Sequence, residues 1–182
     1  MPTVSADLKD APTGTLRQQN EIPRLVTYDT TFVVTQGRAN VLKVCYVDAA
    51  PPCSGAETLN TGVEDISSWF LKVLFHQSTQ FIDPAGAPLA WGDTMQITLS
   101  IDSTAFLATF GPHGLVFDGP RQPKLSFRYT LADLTNRDPS NLQIWYQPTS
   151  GEGWLAQLSD VNLEFDAVSM DLYHFSNYAL AF

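Results

Sequence analysis

Short runs of alternating apolar and polar residues, broken every few positions by Gly, Pro, Asp or Asn, recur along this chain from Thr30 onward. A two-residue period sends successive side chains to opposite faces of an extended backbone. A run with one polar face is therefore a half-buried antiparallel strand. Met95, Ile97, Leu99 and Ile101 share one face, and Thr94, Gln96, Thr98 and Ser100 the other. Leu125, Phe127 and Tyr129 oppose Lys124, Ser126 and Arg128, while Val168, Met170 and Leu172 oppose Ser169 and Asp171. Val161, Leu163 and Phe165 oppose Asn162, Glu164 and Asp166, which extends one such strand to Asp166. Further strands are expected at Thr31–Val34, Val41–Val47, Trp69–Phe75 and Ala105–Phe110.

No window holds a 3.6-residue period for three turns. Thr130–Thr135 and Asp65–Ser68 offer at most a single helical turn each. Asp83–Gly86, Gly111–Gly114, Asp118–Pro120 and Thr149–Gly153 carry the Gly, Pro and Asp chemistry of turns. The expected fold is all-β: an antiparallel β-sandwich of roughly nine to eleven strands with almost no helix. Its predicted core includes Met95, Ile97, Leu99, Leu125, Phe127, Ile144, Leu163, Met170 and Leu180. Residues 1–24 are polar, hold Pro2, Pro12 and Gly14, and lack periodicity, so they are expected to form a flexible or loosely packed arm. Residues 25–182 then form one domain, since 182 residues suffice for a single core without a metal.

The net charge of −9 opposes nucleic acid and anionic membranes as partners, and the ten Lys and Arg are scattered singly. No run of about 18 apolar residues exists to insert into a membrane. The chain is polar from Met1 to Asp7, so export would require a signal outside this sequence. No glycine-rich phosphate loop and no Gly-x-Ser-x-Gly elbow is present, and no cofactor is expected. His76, His113 and His174 lie on separate elements without paired spacing, so no metal is expected either.

Cys45 and Cys53 flank Tyr46–Pro52, where Pro51-Pro52 can turn the chain back. A Cys45–Cys53 disulfide is the preferred reading over two unrelated thiols, because the only two cysteines lie close together around a turn. Such a bridge suits an extracytoplasmic protein, whether periplasmic, envelope-bound or secreted.

Trp145 falls on the face opposite Leu142, Ile144 and Tyr146, so it points outward or sits under a covering loop. An outward Trp on a sandwich face suits a protein partner or, as a weaker reading, a sugar. His174-Phe175-Ser176 interrupts the final strand pair. The inward set Val168, Met170, Leu172 would carry His174 inside and Phe175 outside, whereas the next strand needs Tyr178, Leu180 and Phe182 inside. A tight turn or bulge at Phe175-Ser176 resolves the conflict and frees Phe175 to pack. The chemical alternative has the Ser176 hydroxyl attack the Phe175 carbonyl while His174 accepts its proton or polarises the amide; the N-to-O acyl shift frees the Ser176 amine and leaves an ester, which water cleaves to part Phe175 from Ser176. An intact, non-catalytic chain is the preferred reading.

From Phe110 to Phe182 the order of motifs resembles a known pattern. Phe110-Gly-Pro-His-Gly-Leu-Val-Phe117 is followed by the strand Lys124–Tyr129, by Leu142-Gln-Ile-Trp-Tyr146, by Gly153-Trp154 after a Gly turn, and by His174-Phe-Ser-Asn-Tyr-Ala-Leu180. This resembles the ZU-five domain, a β-sandwich module of ankyrins, netrin receptors and tight-junction scaffolds, and most of all its divergent bacterial versions in exported proteins. The resemblance implies a structural or protein-interaction role. A few related modules cut themselves at His-Phe-Ser, which is the source of the self-cleaving alternative.

Overall fold

The computed structural model of the chain describes residues 11–17, 28–45, 55–58, 69–102, 105–149 and 151–182. The architecture is all-β and every strand pair is antiparallel. One six-stranded sheet has the order β1 (Tyr28–Thr35), β6 (Thr94–Ile101), β7 (Leu107–Gly111), β14 (Asn177–Ala181), β10 (Gln143–Gln147) and β11 (Leu155–Ala156). The other six-stranded sheet runs β12 (Asp160–Asn162), β13 (Ala167–Asp171), β9 (Lys124–Arg128), β4 (Trp69–Phe75), β2 (Asn40–Cys45) and β3 (Gly55–Thr58). A two-stranded sheet joins β5 (Gln80–Ile82) to β8 (Val116–Asp118). The strands outnumber the expected nine to eleven because β5, β8, β11 and β12 have only two or three residues, too few to display a period. The helical content among the described residues includes a single 3-10 turn, Pro139–Asn141, capped where Asp138 accepts a hydrogen bond from the Ser140 amide at 2.9 Å.

The inner faces of the two large sheets share one core. Phe32, Val34, Ile97, Leu99, Phe110, Ile144, Tyr178 and Leu180 come from the first sheet; Leu42, Val44, Val73, Leu125, Phe127, Val168 and Met170 come from the second. Strict alternation accounts for all of these. It fails once inside β4, where Phe70 and Leu71 are consecutive and both fully buried. Val44 pairs with Leu71 but Cys45 with Trp69, so Phe70 is the extra residue of a bulge and turns into the core beside Phe106, 4.9 Å away. Phe75, Phe81, Phe117 and Phe175 extend the core past the end of β4, with Phe81 and Phe117 supplied by the small sheet.

A buried glutamine ties three segments together. Gln36, in the β1–β2 turn, donates its side-chain amide to the Thr79 carbonyl and accepts from the Phe81 amide, both at 2.8 Å. Its backbone exchanges hydrogen bonds with the loop 92–93. The next residue, Gly37, has φ +81°, and a Cβ there would run into the Trp91 indole. Glycine answers both demands at this turn.

One expectation needs correction. The strand read through Asp166 ends at Asn162, whose side-chain oxygen accepts from the amides of Glu164 (3.0 Å) and Phe165 (3.1 Å). That Asx turn, with Asp166 at φ 50°, converts 163–166 into the β12–β13 loop. Leu163 is therefore 57% exposed and not a core residue, and Phe165 is 40% exposed. Met95 packs against the core but is only partly buried. Within the N-terminal arm, residues 15–17 are fastened between two strand ends. Leu16 donates to the Leu180 carbonyl at 2.8 Å, accepts from the Phe106 amide at 3.0 Å, and is buried. The rest of 1–24 lies outside the described residues.

Candidate functional site

The tripeptide His174-Phe175-Ser176 belongs to neither strand that flanks it. β13 and β14 lie in different sheets, so 172–176 is a crossover between sheets, where alternation predicts a tight turn or bulge at Phe175-Ser176. The crossing backbone is held at each step: Phe117 donates to the Tyr173 carbonyl (2.8 Å), Phe175 to Leu115 (2.9 Å), and Phe110 to Ser176 (3.1 Å). The change of sheet resets the alternation and releases Phe175 inward. Its ring stacks on Phe110 at 5.0 Å and meets Phe117 edge-on at 5.0 Å.

Ser176 is buried and its hydroxyl donates to the Gln147 carbonyl at the end of β10. Gln147, also buried, donates its side-chain amide to the Glu152 carbonyl (2.7 Å) and accepts from the Asn177 amide (2.9 Å). Ser176, Asn177 and Gln147 thus latch the β10–β11 turn to the crossover. His174 is half-buried against the Tyr146 ring, 5.1 Å between centroids. The Tyr178 hydroxyl donates to the His174 carbonyl at 2.6 Å and stands 3.5 Å from Nδ1. Burial lowers the His174 imidazole below its ordinary pKa and raises the Tyr178 phenol, so both favour their neutral forms.

An acyl shift at Phe175 requires a base within reach of the Ser176 hydroxyl and donors aimed at the Phe175 carbonyl. The hydroxyl instead points at a carbonyl oxygen, which cannot take its proton. Among the described residues, no hydrogen bond joins His174 to Ser176 and none is directed at the Phe175 carbonyl. The contacts around Phe175 and Ser176 are those of a satisfied crossover.

Trp145 stands on the outer face of the first sheet, as alternation requires, between Ala179 of β14 and Ala156 of β11. It is half-buried, and its indole Nε1 has no hydrogen-bond partner among the described residues. Trp154 lies on the same outer face against Ala105, Leu107 and Ala179. Beside them the chain passes from β11, the edge of one sheet, to β12, the edge of the other. Leu155 (50%) and Leu158 (96%) are exposed at that passage, and Leu163 and Phe165 in the β12–β13 loop beyond it. Sequence reasoning assigned Leu163 to the core, put Phe165 on the same apolar strand face, and singled out neither Leu155 nor Leu158. Asn162, two and three residues ahead of its turn partners, was the available signal.

Cys45 ends β2, buried against Trp69 and Ala167 on the outer face of the second sheet. Cys53, its expected partner, lies outside the described residues. His113 is exposed in its turn, and His76 is partly buried. A cleft of about 480 Å3 opens between the segment 11–17 and residues 133–137, with Arg17, Asp133 and Arg137 in its wall. Hydrogen bonds from Thr135 hold the Asp133 carboxyl below the usual carboxylate range. No helix among the described residues is long and apolar enough to cross a membrane. Compared with family models, with curated proteins and with solved structures, the chain finds no match.

Proposed function

We propose that this chain is a non-catalytic β-sandwich module that works by protein–protein contact, in a secreted or cell-envelope protein, with a Cys45–Cys53 disulfide and a likeness in kind to ZU-five domains. The observation that carries the contact reading is that large apolar side chains stand exposed around the edge strand β12: Leu155 and Leu158 before it, Leu163 and Phe165 in the loop after it. Large apolar side chains clustered on a surface are the usual mark of a partner site. The non-catalytic reading is supported over self-cleavage by the structural contacts that Ser176 and Phe175 both make.

The test is a selection of random linear peptides, displayed on phage, against the immobilised full-length chain. The expected result is a set of enriched peptides that also bind in solution. Trp145→Ala should weaken them while the β-type circular dichroism spectrum persists. Binding indifferent to Trp145→Ala would remove that residue from the contact surface. Repeated selection with no enrichment would contradict the contact reading itself.

A further inference from the structure

The cleft beside the N-terminal segment 11–17 has two guanidiniums in its wall, in a chain whose net charge is −9. Arg17 comes from that segment and Arg137 from the loop between β9 and β10. Thr13, Gly14 and Thr135 line the same space. Asp133 is the one carboxylate among the described lining residues. It is committed to its own loop, where it accepts from both the amide and the hydroxyl of Thr135.

The walls are built rather than loose. Leu16 is buried and bonded to Leu180 and Phe106, and the Arg17 carbonyl accepts from the Asp133 amide at 2.8 Å. Pro12 to Thr15 form a turn, closed by the Thr15 amide on the Pro12 carbonyl at 3.1 Å, with Gly14 at φ +86°. Among the described residues, the amides of Thr13 and Gly14 meet no acceptor. Successive unpaired amides in a turn favour an anion. Arg137 is held from two sides. Its Nη1 donates to the Gly14 carbonyl at 3.4 Å, and its guanidinium carbon stands 4.9 Å from the centroid of the Phe182 ring.

The ion pairs observed among the described residues are those of Lys124, so neither guanidinium of the cleft is neutralised by a carboxylate there. Two guanidiniums on one concavity repel each other, and each offers a planar fork of donors that matches an oxyanion. At about 480 Å3 the cleft has the size of a small-molecule site and exceeds what a bare ion needs.

We infer that this cleft binds a small organic anion, whose carboxylate or phosphate group is held by Arg17 and Arg137. The inference goes beyond the contact reading and does not rest on it, since neither Trp145 nor any residue of 155–165 lines the cleft.

The test is an NMR titration of the isotopically labelled full-length chain, at constant ionic strength, with succinate and separately with inorganic phosphate. Saturable shifts of the Thr13, Gly14, Thr135 and Arg137 amides are expected with at least one of them, and the tighter binder identifies the group. Arg17→Gln should weaken binding about tenfold, the loss of one charge-assisted hydrogen bond. Arg17 is exposed, so the fold should hold, and thermal melting verifies it. Arg137→Lys keeps the charge but loses the fork, and should weaken binding as well. Asp133→Asn removes the carboxylate from the wall and should tighten it. Succinamide, the uncharged counterpart of succinate, should move none of these amides. Shifts that stay linear with concentration for both anions, that persist unchanged in Arg17→Gln and Arg137→Lys, or that succinamide reproduces would overturn the inference and leave the contact reading in place.

Discussion

Three consecutive residues, His174, Phe175 and Ser176, show how one tripeptide can look reactive and be structural. Phe175 is a core side chain ringed by Phe110, Phe117 and Phe75. Phe175→Ala should cost about 3–5 kcal/mol, the range for emptying a buried aromatic site. Ser176→Ala removes one buried hydrogen bond and leaves the Gln147 carbonyl short of a partner, so about 1–3 kcal/mol is expected. Urea denaturation measures both, and equal costs would contradict the division of roles. His174 titrates at lower pH in the folded chain than in the unfolded one, whose value is near 6.5. The unfolded state then binds the proton more readily. Stability is complete above about pH 6.5 and falls as pH drops through that value toward the lower folded one. His174→Gln should flatten the denaturation midpoint below about pH 6.5. A wild type and variant with the same acid slope would refute the assignment. Half-burial keeps the effect small.

Elements were legible wherever a strand had five or more residues and one face in the core. β6, β9, β10 and β13 follow their two-residue period, and the four Gly, Pro and Asp turns fall where their chemistry places them. Three features were illegible for identifiable reasons. The Phe70 bulge depends on pairing with β2, which alternation in one strand cannot report. The β12–β13 loop mimics a strand because Leu163 and Phe165 keep the period while Asn162 reorganises the backbone. The crossover at Phe175 depends on β13 and β14 joining different sheets, a tertiary fact. At the site, the outward placement of Trp145 was legible, while the exposed leucines of the β11–β12 passage were not, since nothing local marks an edge strand. Cys45 belongs to this scale as well. A Cys45–Cys53 bridge would close a short loop after β2, and its stabilisation belongs near the lower end of about 2–4 kcal/mol. Thiol labelling of the unreduced, denatured chain should find no free cysteine; two reactive thiols in an oxidised preparation would remove the bridge and with it the main support for an extracytoplasmic home.

As a whole molecule, the chain invests its aromatic residues in one continuous core that runs from between the sheets out to the β5–β8 sheet. Its charge is distributed unevenly. Lys and Arg end at Arg137 in the sequence, while six carboxylates follow it. On the proposed reading, this sandwich with its latched crossover holds a protein partner. The proposed likeness of Phe110–Phe182 to ZU-five modules, read from motif residues alone, would imply the same role. The opposing account is a sandwich that cuts itself at its own terminal crossover, and the two differ in a covalent bond. Intact mass of the wild-type chain after prolonged incubation at neutral pH, beside Ser176→Ala, tests the choice most directly. A single full-length species from both proteins is the predicted result. A wild-type chain split between Phe175 and Ser176, with Ser176→Ala whole, would contradict it.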